Sequence, residues 1–468
     1  MGHSHTPVDH DASPEAVATR RRANRLLAAI LIPITLATIL GMFLLWPSGT
    51  SSDVEVGNPY SAAQGASFQT GTVEKTSVAP CLYPSTEASV DQKCLVVHLA
   101  PDRGGATIEV EVPPEVLREA DVNVGDRIRF LDLGSASEAG EGAQARYSFV
   151  DFVRTTPMAL LAAVYALVVV LVARWRGFRA LLGLAGAYLV VAQFIIPGLV
   201  EGKPPILVGL VGSSVIMIGV LYFAHGFSAR TSTALLGTIF GLVTTSLIAA
   251  WATGSAHLTG LNDEADYTLS YATGSISLSG ILVCGLIISG LGVLNDVTIT
   301  QSSAVWEMHE LAPESSARRL FAGAMRVGRD HIASTVYTIV FAYAGAALPL
   351  LILLSLQDRP FVETITSGEL AEEIVRTLVG SIGLVLAIPV TTAIAVLVVK
   401  AVGSKGTSSP TQRSEPVDVT DEPTGSRALA SEDYPVANVP ITRRELRRES
   451  TGEGRTSWGP AGWDDDDR

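Results

Sequence analysis

Polar and charged side chains set beside long apolar runs are where this 468-residue chain can do chemistry. The densest such group is Asn295, Asp296, Thr298, Thr300, Gln301, Ser302 and Ser303, which follows an apolar run without a turn signal, with Gly328-Arg329-Asp330 downstream. An aspartate facing an Arg–Asp pair at the mouth of a membrane segment can hold or pass an ion or solute, because ionisable groups near hydrocarbon are costly. Helix capping by Asp330 and simple ion pairing explain the same residues equally well. Thr391 and Thr392 sit beside Pro389 in the last apolar run, a place where a helix can break and line a pathway. Gln193, Ser213, Ser214, Thr244, Thr245, Ser246, Ser279 and Ser289 are further neutral polar residues inside apolar runs. Hydroxyls there usually bond back to their own helix or join helices together.

Two other groups suit different chemistry. His257, Asp263 and Glu264 lie in the loop 252–275, where oxygen ligands and one imidazole suit a divalent cation. The spacing is not that of an EF-hand, and a capped interfacial helix accounts for the same residues, so no metal is assigned. Cys81 and Cys94, thirteen apart in a segment read as extracytoplasmic, are expected to form a disulfide, whereas Cys284 sits mid-run as a packing residue. His3, His5 and His10 belong to a leader without fixed ligand geometry. No phosphate loop, nucleophile elbow, zinc-protease motif or dinucleotide fingerprint is present, and no mid-run His or carboxylate offers an intramembrane catalytic set. The expectation is a non-enzyme without a cofactor or a catalytic residue.

The elements that must position these residues are hydrophobic helices. Hydrophobic residues make up 48% of the chain and charged ones only 17%, against about 25% charged in soluble domains. The apolar runs are Leu26–Trp46, Pro157–Trp175, Ala180–Leu199, Pro205–Phe223, Thr233–Trp251, Ile276–Leu294, Ala333–Leu354 and Thr377–Val399. Each is near twenty residues, so each is about 30 Å long as a helix and can cross the hydrocarbon. Leu26–Trp46 is too long for a signal-peptide core and reads as an uncleaved anchor. Arginines and lysines gather in alternate loops: Arg20–Arg25, Arg174–Arg179, Arg230, Arg318–Arg329 and Lys400–Lys405. The positive-inside rule then predicts eight spans in a cell membrane with both termini cytoplasmic.

The soluble parts differ in kind. Residues 1–25 read as a disordered cytoplasmic leader, 26–46 as the anchor and 47–156 as a β-rich extracytoplasmic domain. Ser67–Val73, Cys94–Ala100, Ala106–Val112, Ile128–Leu131 and Ala145–Phe152 predict five short strands, hence a small barrel or sandwich. Residues 401–468 are rich in Ser, Thr, Pro and charge without helical period and read as a disordered cytoplasmic tail. From Ser315 to Met325 an amphipathic helix is expected on the membrane surface, with Gly328-Arg329-Asp330 opening the next span. The net charge of −13 excludes a nucleic-acid partner. Residues 47–153 hold 16 acidic and 7 basic residues, and 403–468 hold 13 and 9, so these two appendages account for the whole imbalance. The acidity therefore says nothing about a transported solute.

GLGVLNDVTITQSSAVWEM, then LFAGAMRVGRDHIASTVYTIVFAYAGAALPLLILL, with HLTGLNDEADYTLSYATGSISLSGILVCGLI before them, resemble the YibE/F family of bacterial membrane proteins. The resemblance covers residues 150–400. Asp296 and Gly328-Arg329-Asp330 fit the family pattern, while Asn295 departs from the Met more usual before the aspartate. It implies a seven-helix membrane domain over 157–400, making the whole chain a mainly α-helical polytopic membrane protein of about eight transmembrane helices with a small β-rich extracytoplasmic domain. It implies permease-like function on an unknown small solute or ion, and adds no cofactor. A non-transporting scaffold or sensor using the outer domain and tail is the competing reading. Besides the lipid bilayer, a homo-oligomer or an envelope protein partner stays open.

Overall fold

The computed structural model describes residues 14–49, 66–80, 93–134, 146–262, 264–273, 276–357 and 360–403. The N-terminal helix α1 spans Pro14–Leu44. Five strands follow: β1 Ser67–Pro80, β2 Lys93–Pro101, β3 Ile108–Val112, β4 Arg127–Asp132 and β5 Tyr147–Phe152, with the short helix α2, Pro114–Glu119, between β3 and β4. They close into a barrel in the order β1-β2-β3-β5-β4, with β3 and β5 parallel and every other pair antiparallel. That order, with a helix after β3, is the topology of an OB-fold barrel. The expected barrel or sandwich is thus a barrel. Strand alternation explains its core. In β4 Ile128 and Phe130 point inward while Arg127 and Arg129 point outward, and Val73, Val97, Leu99, Val110 and Val112 complete an interior at most 1% exposed.

After the barrel come the helices of the apolar bundle. These are α3 Thr155–Val190, a wide π turn at Val191–Ile195, α4 Ile196–Val200, α5 Pro205–His225 and α6 Ala229–Ser255. Next are α7 Glu264–Thr273, α8 Leu278–Ser289, α9 Leu291–Leu311, α10 Ala317–Ala346, α11 Leu348–Ser355, α12 Phe361–Ile365 and α13 Gly368–Gly403. Six stretches among the described residues are long and apolar enough to cross a membrane, or up to seven if the bent pair α10–α11 is one span. The stretch Thr155–Val200 holds both runs expected between residues 157 and 199, and its helix is interrupted at Arg174, whose φ of 54° is not helical. The π turn precedes Pro197, whose missing N–H removes a helical bond there.

Three sequence expectations are corrected. The amphipathic stretch from Ser315 and the following span are one helix, α10, capped by Ser316 rather than by Asp330. Its Leu320 and Ala324 pack on Val305, Ala395, Val396 and Val399 of α9 and α13, so the stretch is a bundle element and not a surface helix. The span does not run straight to Leu354. It bends by 64° at Ala347, where Pro349 in the first turn of α11 cannot continue the ladder. Finally, α13 runs unbroken through Pro389.

Helices α6, α9 and α13 pack mutually at the centre, flanked by α5, α8 and α10, with α1 on α5, α6 and α13. The basic loops meet at one end: Arg230 pairs with Glu307 at 3.9 Å, and Lys400 donates to the Pro313 carbonyl at 2.8 Å. At the other end Glu201 accepts from the Ser48 and Gly49 amides, and Lys203 donates to the Leu45 and Trp46 carbonyls, which ties the end of α1 to the loop before α5. The amide and hydroxyl of Ser48 and the amide of Gly49 hold the Glu201 carboxyl below its ordinary range.

Candidate functional site

Thr231, Thr238 and Thr245 of α6 recur every seven residues, which places them on one helix stripe about 21 Å long. All three are buried, and the stripe faces α9 and α13. From α9 come Thr298, Gln301 and Ser302, and from α13 Thr391 and Thr392, each buried to 2% exposure or less. The Thr238 and Thr298 hydroxyls bond at 2.7 Å. The Gln301 amide donates to the Thr392 hydroxyl at 2.7 Å and to the Ala324 carbonyl at 2.9 Å, joining α9, α13 and α10. Ser302 donates to the Arg230 carbonyl at 2.8 Å.

Two glycines let these helices approach. A Cβ at Gly237 would run into the Thr391 side chain, and one at Gly383 into Thr245. Small residues at such crossings are what membrane helices use where water supplies no hydrophobic drive between them.

The file is not fully satisfied. Thr391 and Thr392 bond back to the Ala387 and Ile388 carbonyls at 2.7 and 2.8 Å, as hydroxyls in spans normally do. The hydroxyls of Thr245 and Thr253 on α6, Ser381 on α13 and Ser213 on α5 are buried with no hydrogen-bond partner among the described residues. Buried polar atoms are rarely left without a partner, so these mark positions with spare capacity for water or a solute. Thr245, Thr253 and Ser381 lie from the Thr238–Thr298 contact toward the end opposite the basic loops, while Thr233, likewise buried and unbonded, lies toward them.

The structure separates the residues that the sequence placed together. Asp296 lies on α9 away from Gln301 and is largely exposed. Its carboxylate is 3.7 Å from Nε2 of His331, an ion-pair distance too long for a hydrogen bond, so that buried nitrogen stays without a hydrogen-bond partner. Arg329 and Asp330 are exposed, and among the described residues neither pairs with Asp296. A helix turns 100° per residue, so His331, one position on, takes the inward place expected of them. Asn295 leaves its side-chain oxygen buried and unbonded beside this pair.

At the opposite end the backbone of His257 closes α6. Its φ of 51° ends α6, with its amide on the Gly254 carbonyl and that of Leu258 on Thr253, the bonds of a left-handed helix cap. Asp263 and the side chain of Glu264 lie outside the described residues, as does Cys81. Cys94 is disulfide-bonded and Cys284 is free and buried. Among the described residues no group of His, Cys, Asp or Glu is arranged to hold a metal. The polar residue that organises this end is Glu372 of α13, which accepts from the Gly260 amide at 3.1 Å and from Asn262. Sequence reasoning passed over Glu372, His331 and Thr238. A seven-residue hydroxyl period would have found Thr238, whereas nothing local signals the other two.

A family model described as YibE/F-like protein matches residues 161–401. No curated protein and no solved structure matches the chain.

Proposed function

The chain belongs to the YibE/F-like family, and from that premise we propose that it is a permease or transport component whose pathway follows the α6/α9/α13 interface. The observation that supports this is the file of neutral hydroxyls with unbonded members at Thr245, Thr253 and Ser381. Hydroxyls of this kind can replace the hydration of a small solute or ion without placing a charge in the hydrocarbon. In this reading Gln301 and Thr392 close the end near the basic loops. Thr155–Val200 turns back at Arg174 as two spans and α10–α11 serves as one, which gives eight crossings. Both termini then face the cytoplasm of a bacterial cell and the barrel lies outside. The protein works without catalytic chemistry of its own. The OB-type barrel favours a second role as the docking point of an envelope partner, since such barrels bind extended ligands on one face.

Cysteine accessibility tests the pathway without knowledge of the solute. Thr238→Cys, Thr245→Cys and Thr253→Cys, each in a Cys284→Ala background, are treated with a membrane-impermeant methanethiosulfonate. The expected result is modification at Thr253 and Thr245 from the barrel side, with Leu247→Cys on the lipid-facing surface unreactive. If Thr238 and Thr245 are as inert as Leu247 from both sides, the interface is a packed seam and conducts nothing.

A further inference from the structure

A cavity of about 990 Å³ opens between α1, α5 and the start of α6, at the end where the basic loops meet. Its wall is apolar along Leu27, Leu31 and Leu36 of α1 and Ile218 and Phe223 of α5. Arg179, Asn24, Ser228 and Ser232 gather toward one end, and Thr35 adds one hydroxyl among the apolar residues of α1. Tyr222, stacked on Phe227 with ring centroids 4.4 Å apart and bonded to Ser232 at 3.0 Å, forms the floor between the two zones. Arg179 lies over the Trp175 ring at 5.7 Å and has no carboxylate within ion-pair distance among the described residues. An unpaired guanidinium above an apolar trough, beside an exposed Trp, is the arrangement by which membrane proteins recognise anionic headgroups at the interface.

We infer that this groove is a binding site for an anionic phospholipid, its phosphate on Arg179 and an acyl chain along the trough between α1 and α5. Three observations choose this occupant. The groove opens on the apolar surface that faces the bilayer. Among the described residues its single charge, Arg179, is positive and has no carboxylate partner. Its charge and most of its polar groups, Thr35 apart, lie at one end of an apolar trough, as in a phospholipid. The lipid supplies what α1 lacks. Most of the apolar side chains of α1 face outward, and Leu27 and Leu31 are its buried hydrophobic ones. A chain held in the trough would then join the anchor to the bundle. The inference does not depend on whether the hydroxyl file conducts.

The test compares wild type with Arg179→Gln and Gly219→Phe by native mass spectrometry and thermal unfolding, after detergent exchange and return of phosphatidylglycerol or phosphatidylcholine. Gly219 lines the groove, and a Cβ there meets nothing within 4 Å, so a large side chain fills the trough without colliding with the helices. Wild type is expected to retain phosphatidylglycerol and to be stabilised by it more than by phosphatidylcholine. Arg179→Gln should lower that preference about fivefold, the value of one basic residue at an anionic surface. Gly219→Phe should lose the retained lipid while unfolding cooperatively. Equal retention of both lipids by wild type and Arg179→Gln would overturn the proposal. So would a dimeric mass abolished by Gly219→Phe with no lipid bound, because a second copy would then fill the groove.

Discussion

The barrel and the helical bundle put the same residue types in opposite places. In the barrel the interior is Val, Leu, Ile and Phe throughout, and the ion pairs Arg127–Asp102, Arg146–Asp132 and Arg154–Asp151 lie outside. In the bundle the outward faces carry Val172, Leu247 and Phe341, each at least 67% exposed, while the α6/α9/α13 seam holds threonines, a glutamine and glycines. Each region is sorted by its solvent. Water drives apolar side chains inward in the barrel. The bundle turns apolar faces outward, so close backbone approach and hydrogen bonds join its helices, as between membrane helices. A hydroxyl seam can therefore serve as stable packing, whereas the barrel packs by apolar contact alone.

If the two regions obey different rules, substitutions should fail differently. The largest effect is expected from Phe130→Ala, which empties a fully buried ring site in the barrel. A loss of about 3–5 kcal/mol follows from cavity creation. Hydrogen exchange read by mass spectrometry should show β1, β2 and β4 losing protection while α6 and α13 keep theirs. Loss in both regions would mean that they are one cooperative unit. Next is Gly237→Val, which forces methyls against Thr391. Overpacking costs about 1–3 kcal/mol, to be seen as earlier unfolding of the bundle in detergent titration. Adding Thr391→Ala should restore part of the loss. If it makes matters worse, the Gly237–Thr391 contact is not what limits the approach.

Much of this division is legible in the sequence. Five strand segments, the apolar runs and the family follow from alternation, run length and ordered blocks, because each is a local pattern. The hydroxyls at Thr245, Thr391 and Thr392 are likewise visible as polar interruptions. Their partners are not. That Gly237 meets Thr391 and Gly383 meets Thr245 depends on the register between helices far apart in the chain. A helix that is apolar all round gives no periodicity to say which face is inward. The same limit explains why His331 rather than Arg329 or Asp330 faces Asp296. One residue along a helix changes the face, and the continuity of α10 through Asp330 set a phase that a helix start at 330 would not.

A smaller effect is expected from Gln301→Leu, which removes two bonds between helices. Bonds between membrane helices average about 0.6 kcal/mol each, so the loss should be about 1 kcal/mol and confined to the bundle. An effect as large as that of Phe130→Ala would erase the contrast drawn above.

The smallest expected effect is the response to acid, and its sign separates the regions again. In the barrel, Asp102 is held below the ordinary carboxylate range by a hydrogen bond from Thr70 and by Arg127. Asp151 is held low by Arg154 and by the Phe152 amide. A carboxylate whose folded pKa is depressed stabilises the fold at any pH above its unfolded value, about 3.9. That contribution disappears as pH falls further, through the folded value. Both side chains are at least a third exposed, so solvent screens the pairs and the shift should be modest. The hydroxyl file of the bundle has nothing to titrate in this window. Pulse proteolysis with pepsin should therefore cut the barrel faster at pH 3 than at pH 5, beyond the protease's own pH response, while cleavage within the α6/α9/α13 seam stays level and the Glu201 tie of α1 loosens in the same direction as the barrel. Asp102→Asn combined with Asp151→Asn should flatten the barrel's response. If the double variant keeps the full acid response, these surface pairs contribute nothing and the barrel rests on its apolar interior alone.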